Sequence, residues 1–287
     1  MKNIFLFKHL SLLLMPIAFV ACGQINEYQS PPGYDFNNPE KFRVVENLLE
    51  ISGIALYKGS SDTFYAIEDE DGKLFRFHLG DKKPFSSKFG KRGDYEDIAI
   101  CNEQVIVLRS DGVLFSFPFS EAGNKEIVNV REWKDILPPG EFEGMYADNV
   151  TGKLYILCKH CSDDNTKKQI SGYIFEVAPD GTISGTGGFS VSVKDIEKIS
   201  GEKKLSFHPS ALAKNMQTQQ WYIVSSVNKL LVVTDAEWKI KEVYPLQPAL
   251  FSQPEGIAFD NDQNLYISNE GDELKSGDIL KFKFQKQ

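Results

Sequence analysis

The sequence predicts an all-β protein, a β-propeller of five blades closed by an N-terminal strand, on three observations. A short motif recurs with a period near 45 residues, and each copy is followed by further strand-like runs. Gly/Asp turns such as Asp71-Gly72 and Asp111-Gly112 separate many of these runs. The aromatic content, 21 Phe and 11 Tyr, favours strands over helices.

The first 21 residues stand outside this pattern. Lys2 and Lys8 precede the uncharged run Leu10 to Ala21, which ends at Cys22. A positive start, a short apolar run and a small residue before the cut describe a signal peptide. The run falls short of the roughly 20 apolar residues of a membrane span. Phe19-Val20-Ala21-Cys22 resembles a bacterial lipobox, so residues 1–21 are expected to be removed and Cys22 to carry a lipid. An ordinary secretory signal ahead of an incidental cysteine is the alternative. The expected location is the bacterial cell envelope, with the body periplasmic and tethered to a membrane. Residues 22–40 are rich in Pro, Gly, Asn and Gln without a hydrophobic period, which predicts a flexible tether ahead of a propeller domain over 41–287.

The repeat is anchored by Glu50-Ile51-Ser52-Gly53-Ile54-Ala55 and Asp94-Tyr95-Glu96-Asp97-Ile98-Ala99. It returns as Glu141-Phe142-Glu143-Gly144-Met145-Tyr146, His208-Pro209-Ser210-Ala211-Leu212-Ala213 and Gln253-Pro254-Glu255-Gly256-Ile257-Ala258. The equivalent positions 53, 97, 144, 211 and 256 are 44, 47, 67 and 45 residues apart. A second strand follows each anchor: Phe64 to Ile67, Val105 to Leu108, Leu154 to Leu157, Trp221 to Val224 and Leu265 to Ile267. Third strands are expected at Leu74 to Phe77, Val113 to Phe117, Tyr173 to Val177, Leu230 to Val233 and Ile279 to Phe284. Fourth strands fit Ser86 to Phe89, Glu126 to Trp133, Thr182 to Val193 and Lys239 to Leu246. The last repeat runs out of chain, and Phe42 to Val45 is available to complete it. The long step holds a polar loop at 162–169 and a short helix at 194–204; a sixth blade hidden there is the alternative to five.

Loss of Lys2 and Lys8 takes the formal charge from −8 to about −10. An acidic body argues against nucleic acid as partner, because that requires a basic patch. With Cys22 lipidated, Cys101, Cys158 and Cys161 remain. Cys158-Lys159-His160-Cys161 has the spacing of a redox or zinc half-site, but it follows a strand rather than opening a helix. A local disulfide or buried thiols is the favoured reading.

The anchors, Tyr65-Ala66-Ile67-Glu68-Asp69-Glu70, and Pro254 through Leu265-Tyr266-Ile267-Ser268-Asn269-Glu270 resemble the SdiA-regulated β-propeller family. They are similar, more distantly, to the esterase-like domain of some phytases and to gluconolactonase-type propellers. The first resemblance implies a membrane-anchored envelope protein. The lactonase-type likeness implies a divalent cation, often calcium, held at the axis by acidic and amide side chains.

In an up-and-down meander, the start of the first strand and the end of the second share one face. The residues before the anchor positions, Ser52, Glu96, Glu143, Ser210 and Glu255, should therefore ring one opening, joined by Glu68, Asp69, Arg109, Lys159, Asn228, Asn269 and Glu270. Converging carboxylates repel unless protonated or bridged by a cation, and oxygen donors suit Ca²⁺. Glu96, Glu143, Glu255 and Asn269 are the expected metal ligands, and Glu68, Asp69, Arg109, Lys159, Asn228 and Glu270 the expected ligand-binding rim. Capping of backbone N–H groups, or pairing with Arg109 and Lys159, would account for the same carboxylates without a ligand. Two functions stay open: a module binding a small molecule or an envelope protein, and a metal-dependent hydrolase of esters or lactones with His208 as candidate base. No G-x-S-x-G elbow is present.

Overall fold

Twenty strands in five antiparallel four-stranded sheets form the framework of the residues described by the computed structural model, which are 28–286 apart from 163, 273 and 274. The expected signal segment 1–21 and the acylated Cys22 lie outside the described residues. After β1 (Glu40–Arg43), blade 1 comprises β2 (Ile51–Leu56), β3 (Phe64–Glu68), β4 (Lys73–Phe77) and β5 (Phe85–Lys88). Blade 2 is β6 (Tyr95–Cys101), β7 (Gln104–Arg109), β8 (Leu114–Pro118) and β9 (Arg131–Trp133). Blade 3 has the longest strands, β10 (Gly140–Asp148), β11 (Lys153–Cys161), β12 (Gln169–Val177) and β13 (Ile183–Ser192). Blade 4 is β14 (Ala211–Asn215), β15 (Gln220–Ser225), β16 (Leu230–Thr234) and β17 (Ile240–Pro245). Blade 5 joins β18 (Pro254–Phe259), β19 (Leu265–Asn269) and β20 (Asp278–Phe282) to β1.

The five blades and their closure match the sequence reading. β1 pairs antiparallel with β20, Glu40 opposite Lys281 and Arg43 opposite Asp278, so the first and last parts of the fold share one sheet. The inner strands form a closed ring, β2 beside β6, β6 beside β10, β10 beside β14, β14 beside β18, and β18 back beside β2. The long step contains helix α1 (Val193–Ser200) instead of a sixth blade. Ser192 caps it by accepting from Asp195 N–H, Gly201 ends it in the left-handed region, and Val193 and Ile196 are buried beneath it.

Each face of a sheet packs on the next blade, giving a separate core in each gap. Tyr95 and Phe115 fill the gap between blades 1 and 2, Phe142 and Ile156 the next, and Leu157 and Trp221 the third. Tyr222 and Phe251 lie between blades 4 and 5, while Phe64 and Tyr266 close the ring. Cys158 and Cys161 form a disulfide within the end of β11, and Cys101 is a buried free thiol.

The expected tether departs from the reading over residues 28–40. Phe36 is 2% exposed, with its ring 4.5 Å from that of Phe282 and 5.5 Å from that of Phe251. Tyr34 is also buried; its hydroxyl donates to Gln263 O at 2.7 Å. Asn37 holds both backbone groups of Tyr28. The Pro- and Asn-rich composition masked two aromatics whose partners lie more than 200 residues away. Phe36→Ala is expected to lower unfolding stability by about 3 kcal/mol, the usual cost of emptying a buried aromatic site. A denaturant titration with an unchanged midpoint would return this segment to the role of a tether.

Candidate functional site: an acidic mouth

Four of the five inner strands carry an irregularity in register near their start. It falls between Ile51 and Ile54, Tyr95 and Asp97, Phe142 and Met145, and Pro254 and Gly256. Ser52, Glu96, Glu143 and Glu255 sit at these breaks. A bulge turns a side chain out of the regular alternation, and here it turns three carboxylates towards one another. Ser210, immediately ahead of β14, takes the same place in blade 4.

The electrostatics record this convergence. Burial, then the charge of Glu143, pushes the Glu96 carboxyl up to about 9. Glu143, 5% exposed, rises to about 7 through burial and Glu255, although Lys159 Nζ and the Ser210 hydroxyl pull it down. Glu255 is raised by burial, against the hydroxyls of Ser226 and Ser210 and the charges of Lys159 and Lys229. Lys159 stands between the two disulfide cysteines, so the Cys158–Cys161 bridge fixes the segment that presents it to Glu143.

A second acidic group adjoins the first. Carboxylate oxygens of Glu50, Glu68 and Asp69 lie within 4.8 Å of one another. Glu68 accepts from the N–H groups of Glu70 and Asp71 at 3.0 and 2.7 Å, which fixes the turn after β3. Asp69 is pushed up to about 7 by burial and then by Glu50 and Glu270, and its Oδ1 is buried without a hydrogen-bond partner. Glu270, bonded to Gln253 Nε2 at 3.1 Å, also rises to about 7, through burial, Glu255 and Glu50. Glu255 and Glu270 thus link the two groups into one acidic arc.

Other expected members are occupied elsewhere. Asn269 is fully buried inside blade 5, with Nδ2 donating to Leu250 O and Asp278 Oδ1, while its Oδ1 is buried without a hydrogen-bond partner. Arg109 clamps Asp111 at 2.8 and 2.9 Å and lies over the Phe115 ring, so it secures a turn and does not balance the mouth. Asn228 accepts from His208 N–H and the Ser225 hydroxyl and donates to Ser206 O. His208 has its ring on Ser206 Oγ at 3.1 Å, as part of the same latch. Glu50 opens the first anchor but is not among the ligands expected from the sequence; Ser226 is placed on the rim as a second-strand end, and Lys229 has no sequence signal.

The Glu96–Glu143–Glu255 triad is therefore a poor cation cage, because Lys159 already occupies it. Glu50, Glu68, Asp69 and Glu270 suit one better: all are oxygen donors, and one oxygen is buried and unpartnered. The raised carboxyls also set a pH dependence. The Glu96 carboxyl is held neutral by the fold up to about 9 but ionises near 4.5 ordinarily, so the unfolded chain binds fewer protons between those values and stability falls as pH rises through them. Melting temperature is expected to drop between pH 5 and pH 9, and Glu96→Gln to flatten that drop. An identical slope in the variant would remove Glu96 from the coupled set.

Known structures share this fold at low identity. A luciferin-regenerating enzyme aligns with a TM-score of 0.54 and 8% identity, covering 86% of this chain and 95% of that one. The glutaminyl cyclase of Myxococcus xanthus aligns with a TM-score of 0.55 and 15% identity, covering 86% and 96%. No curated protein sequence matches the chain. Residues 174–273, from the third strand of blade 3 into blade 5, match the model of the SdiA-regulated family, the family that the anchor motifs resemble.

Proposed function

We propose that the protein is a lipid-anchored envelope module whose acidic mouth binds a divalent cation, Ca²⁺ first, as the core of a site for a small molecule or an envelope protein. One observation carries the cation reading: the clustered oxygens of Glu50, Glu68 and Asp69, with Asp69 Oδ1 buried and unpartnered. Calcium accepts six to eight oxygen ligands in loose geometry, which suits carboxylates delivered by separate loops. A cation there would stabilise the ionised forms of Asp69 and Glu270, which are raised first by burial and then by neighbouring carboxylates, Glu50 among them. His208, the candidate base for ester or lactone hydrolysis, belongs to the Ser206–Asn228 latch and not to the acidic arc.

The chain's course supports presentation of the mouth away from the anchor. Arg43 and Asp278 pair at the end of blade 5 where Asn269 also lies, while Glu40 pairs with Lys281 towards the opposite end. Residues 28–36 pack at that opposite end, by the β18–β19 turn. A leash leaving from Tyr28 would turn the acidic arc outward.

Two measurements test the two halves of this reading. CaCl₂ should raise the melting temperature of the wild type by mass action, about 2.7 kcal/mol of stabilisation at a hundredfold excess over Kd, and Asp69→Asn should abolish most of that gain. A flat response of the wild type to Ca²⁺ and to chelator would leave the arc as a polar surface without metal. Cys22→Ser should release the protein from the membrane fraction with its melting temperature intact. Retention of that variant on membranes after a high-salt wash would rule out the lipid.

A further inference from the structure

At the end of the axis opposite the carboxylates, the inner strands diverge around a cavity of about 430 Å³. That volume lies within the range of sites that enclose small organic ligands, roughly 300–1,000 Å³. Its width has a sequence origin: each blade contributes one alanine to the wall, Ala55, Ala99, Ala147, Ala213 and Ala258. Small side chains at these five positions leave the space open. Ile98, Met145, Leu212 and Ile257 add to the apolar wall, and amides such as Asn149, Asn215, Asn261 and Gln263 stand among them.

The charges around this opening are already partnered. Lys214 is 3.5 Å from Asp148 and lies over the Trp221 ring, and Lys58 pairs with Glu103 at 2.9 Å. Asp148 accepts from Val150 and Thr151 N–H. Asp260 accepts from Asn264 and from the Tyr266 hydroxyl. A charged guest would break one of these pairs or go unmatched. An apolar guest meets no such cost, and the rim favours it: Val150 is 82% exposed and Met216 is 40% exposed, both lining the cavity. One donor is poorly used. The Tyr146 hydroxyl, at the same wall, donates to Met216 Sδ at 3.2 Å, and a thioether is a weak acceptor. A carbonyl or hydroxyl oxygen of a guest would replace it to advantage.

We propose that this cavity is a second binding site, for a small uncharged molecule with an apolar body and a hydrogen-bond acceptor facing Tyr146. It is independent of the cation reading, since it shares no residue with the acidic arc.

The probe is prodan, an uncharged naphthalene bearing a ketone, titrated into the full-length chain and followed by its emission. Saturable binding of one prodan per chain with a blue shift is expected. Ala258→Phe, which crowds a buried wall position, should weaken it by at least about tenfold, equivalent to roughly 1.4 kcal/mol, and its melting temperature reports whether packing is disturbed. Val150→Asp sits on an exposed turn and tests the same opening should the phenylalanine disturb packing. Tyr146→Phe should weaken binding a fewfold and shift the emission further to the blue, because the ketone loses its donor. Loss in either wall variant with the fold intact supports the site, and Asp69→Asn should leave it untouched. Binding that survives both wall variants lies elsewhere on the protein and overturns the assignment. An unchanged Tyr146→Phe titration overturns the acceptor contact.

Discussion

The backbone approach of neighbouring inner strands at the anchor position is the constraint on which the rest of the molecule depends. A Cβ on Gly53 would stand 2.2 Å from Asp97 Oδ1 and 2.6 Å from its Cα, and one on Gly256 would stand 2.6 Å from Ser52 O. Gly144 faces the Ala211–Leu212 backbone at 3.2 Å. Blade 2 has aspartate instead of glycine there, and Asp97 turns the exception into a latch. Its Oδ1 accepts from Ile98 N–H at 2.8 Å and its Oδ2 from Met145 N–H of blade 3 at 2.6 Å. Ser268 donates to Ser52 O at 2.8 Å and ties blade 5 to blade 1 in the same layer. Fully buried, the Asp97 carboxyl is raised well above the usual carboxylate range, so it is held by geometry more than by charge.

Five strands brought this close have little room for side chains between them, and this sorts the axis into two unlike ends. On one side of the glycine layer, bulges aim carboxylates inward from three blades, and second-strand ends add Asp69 and Glu270. The result is a concentration of acid that burial makes costly to ionise, offset in part by Lys159. On the other side, small alanine side chains leave a space between the strands. The same repeat that builds the wall thus builds two chemically opposite openings, one acidic and one more apolar.

The closing strand adds a third consequence. Because β1 completes blade 5, the chain ahead of it runs back along the outside of the gap between blades 4 and 5 and buries Tyr34 and Phe36 there. Phe284, near the other terminus, packs on Tyr34 with ring centroids 5.5 Å apart. Residues 34–36 and Phe284 thus pack together at the apolar end of the axis.

Blade number, closure by an N-terminal strand and the inner location of the anchors were legible in the sequence, because a repeat of about 45 residues with a small residue at a fixed place has few other ways to bury its strands. So was the convergence of Glu96, Glu143 and Glu255, which follows from equivalent positions in equivalent blades. Pairing across the ring was not. Lys159 meets Glu143 because β11 runs beside β10; Arg109, equally close to the mouth in sequence, finds Asp111 two residues on and never reaches it. Asn269 occupies an expected ligand position, yet its amide is drawn into blade 5 by Leu250 and Asp278, partners that only the folded sheet supplies. The packing of Phe36, the acidic set around Glu50 and the apolar cavity all rest on contacts between residues far apart in the chain. Local pattern fixes which way a strand faces, but which side chains meet across an axis is decided by how five blades close on one another.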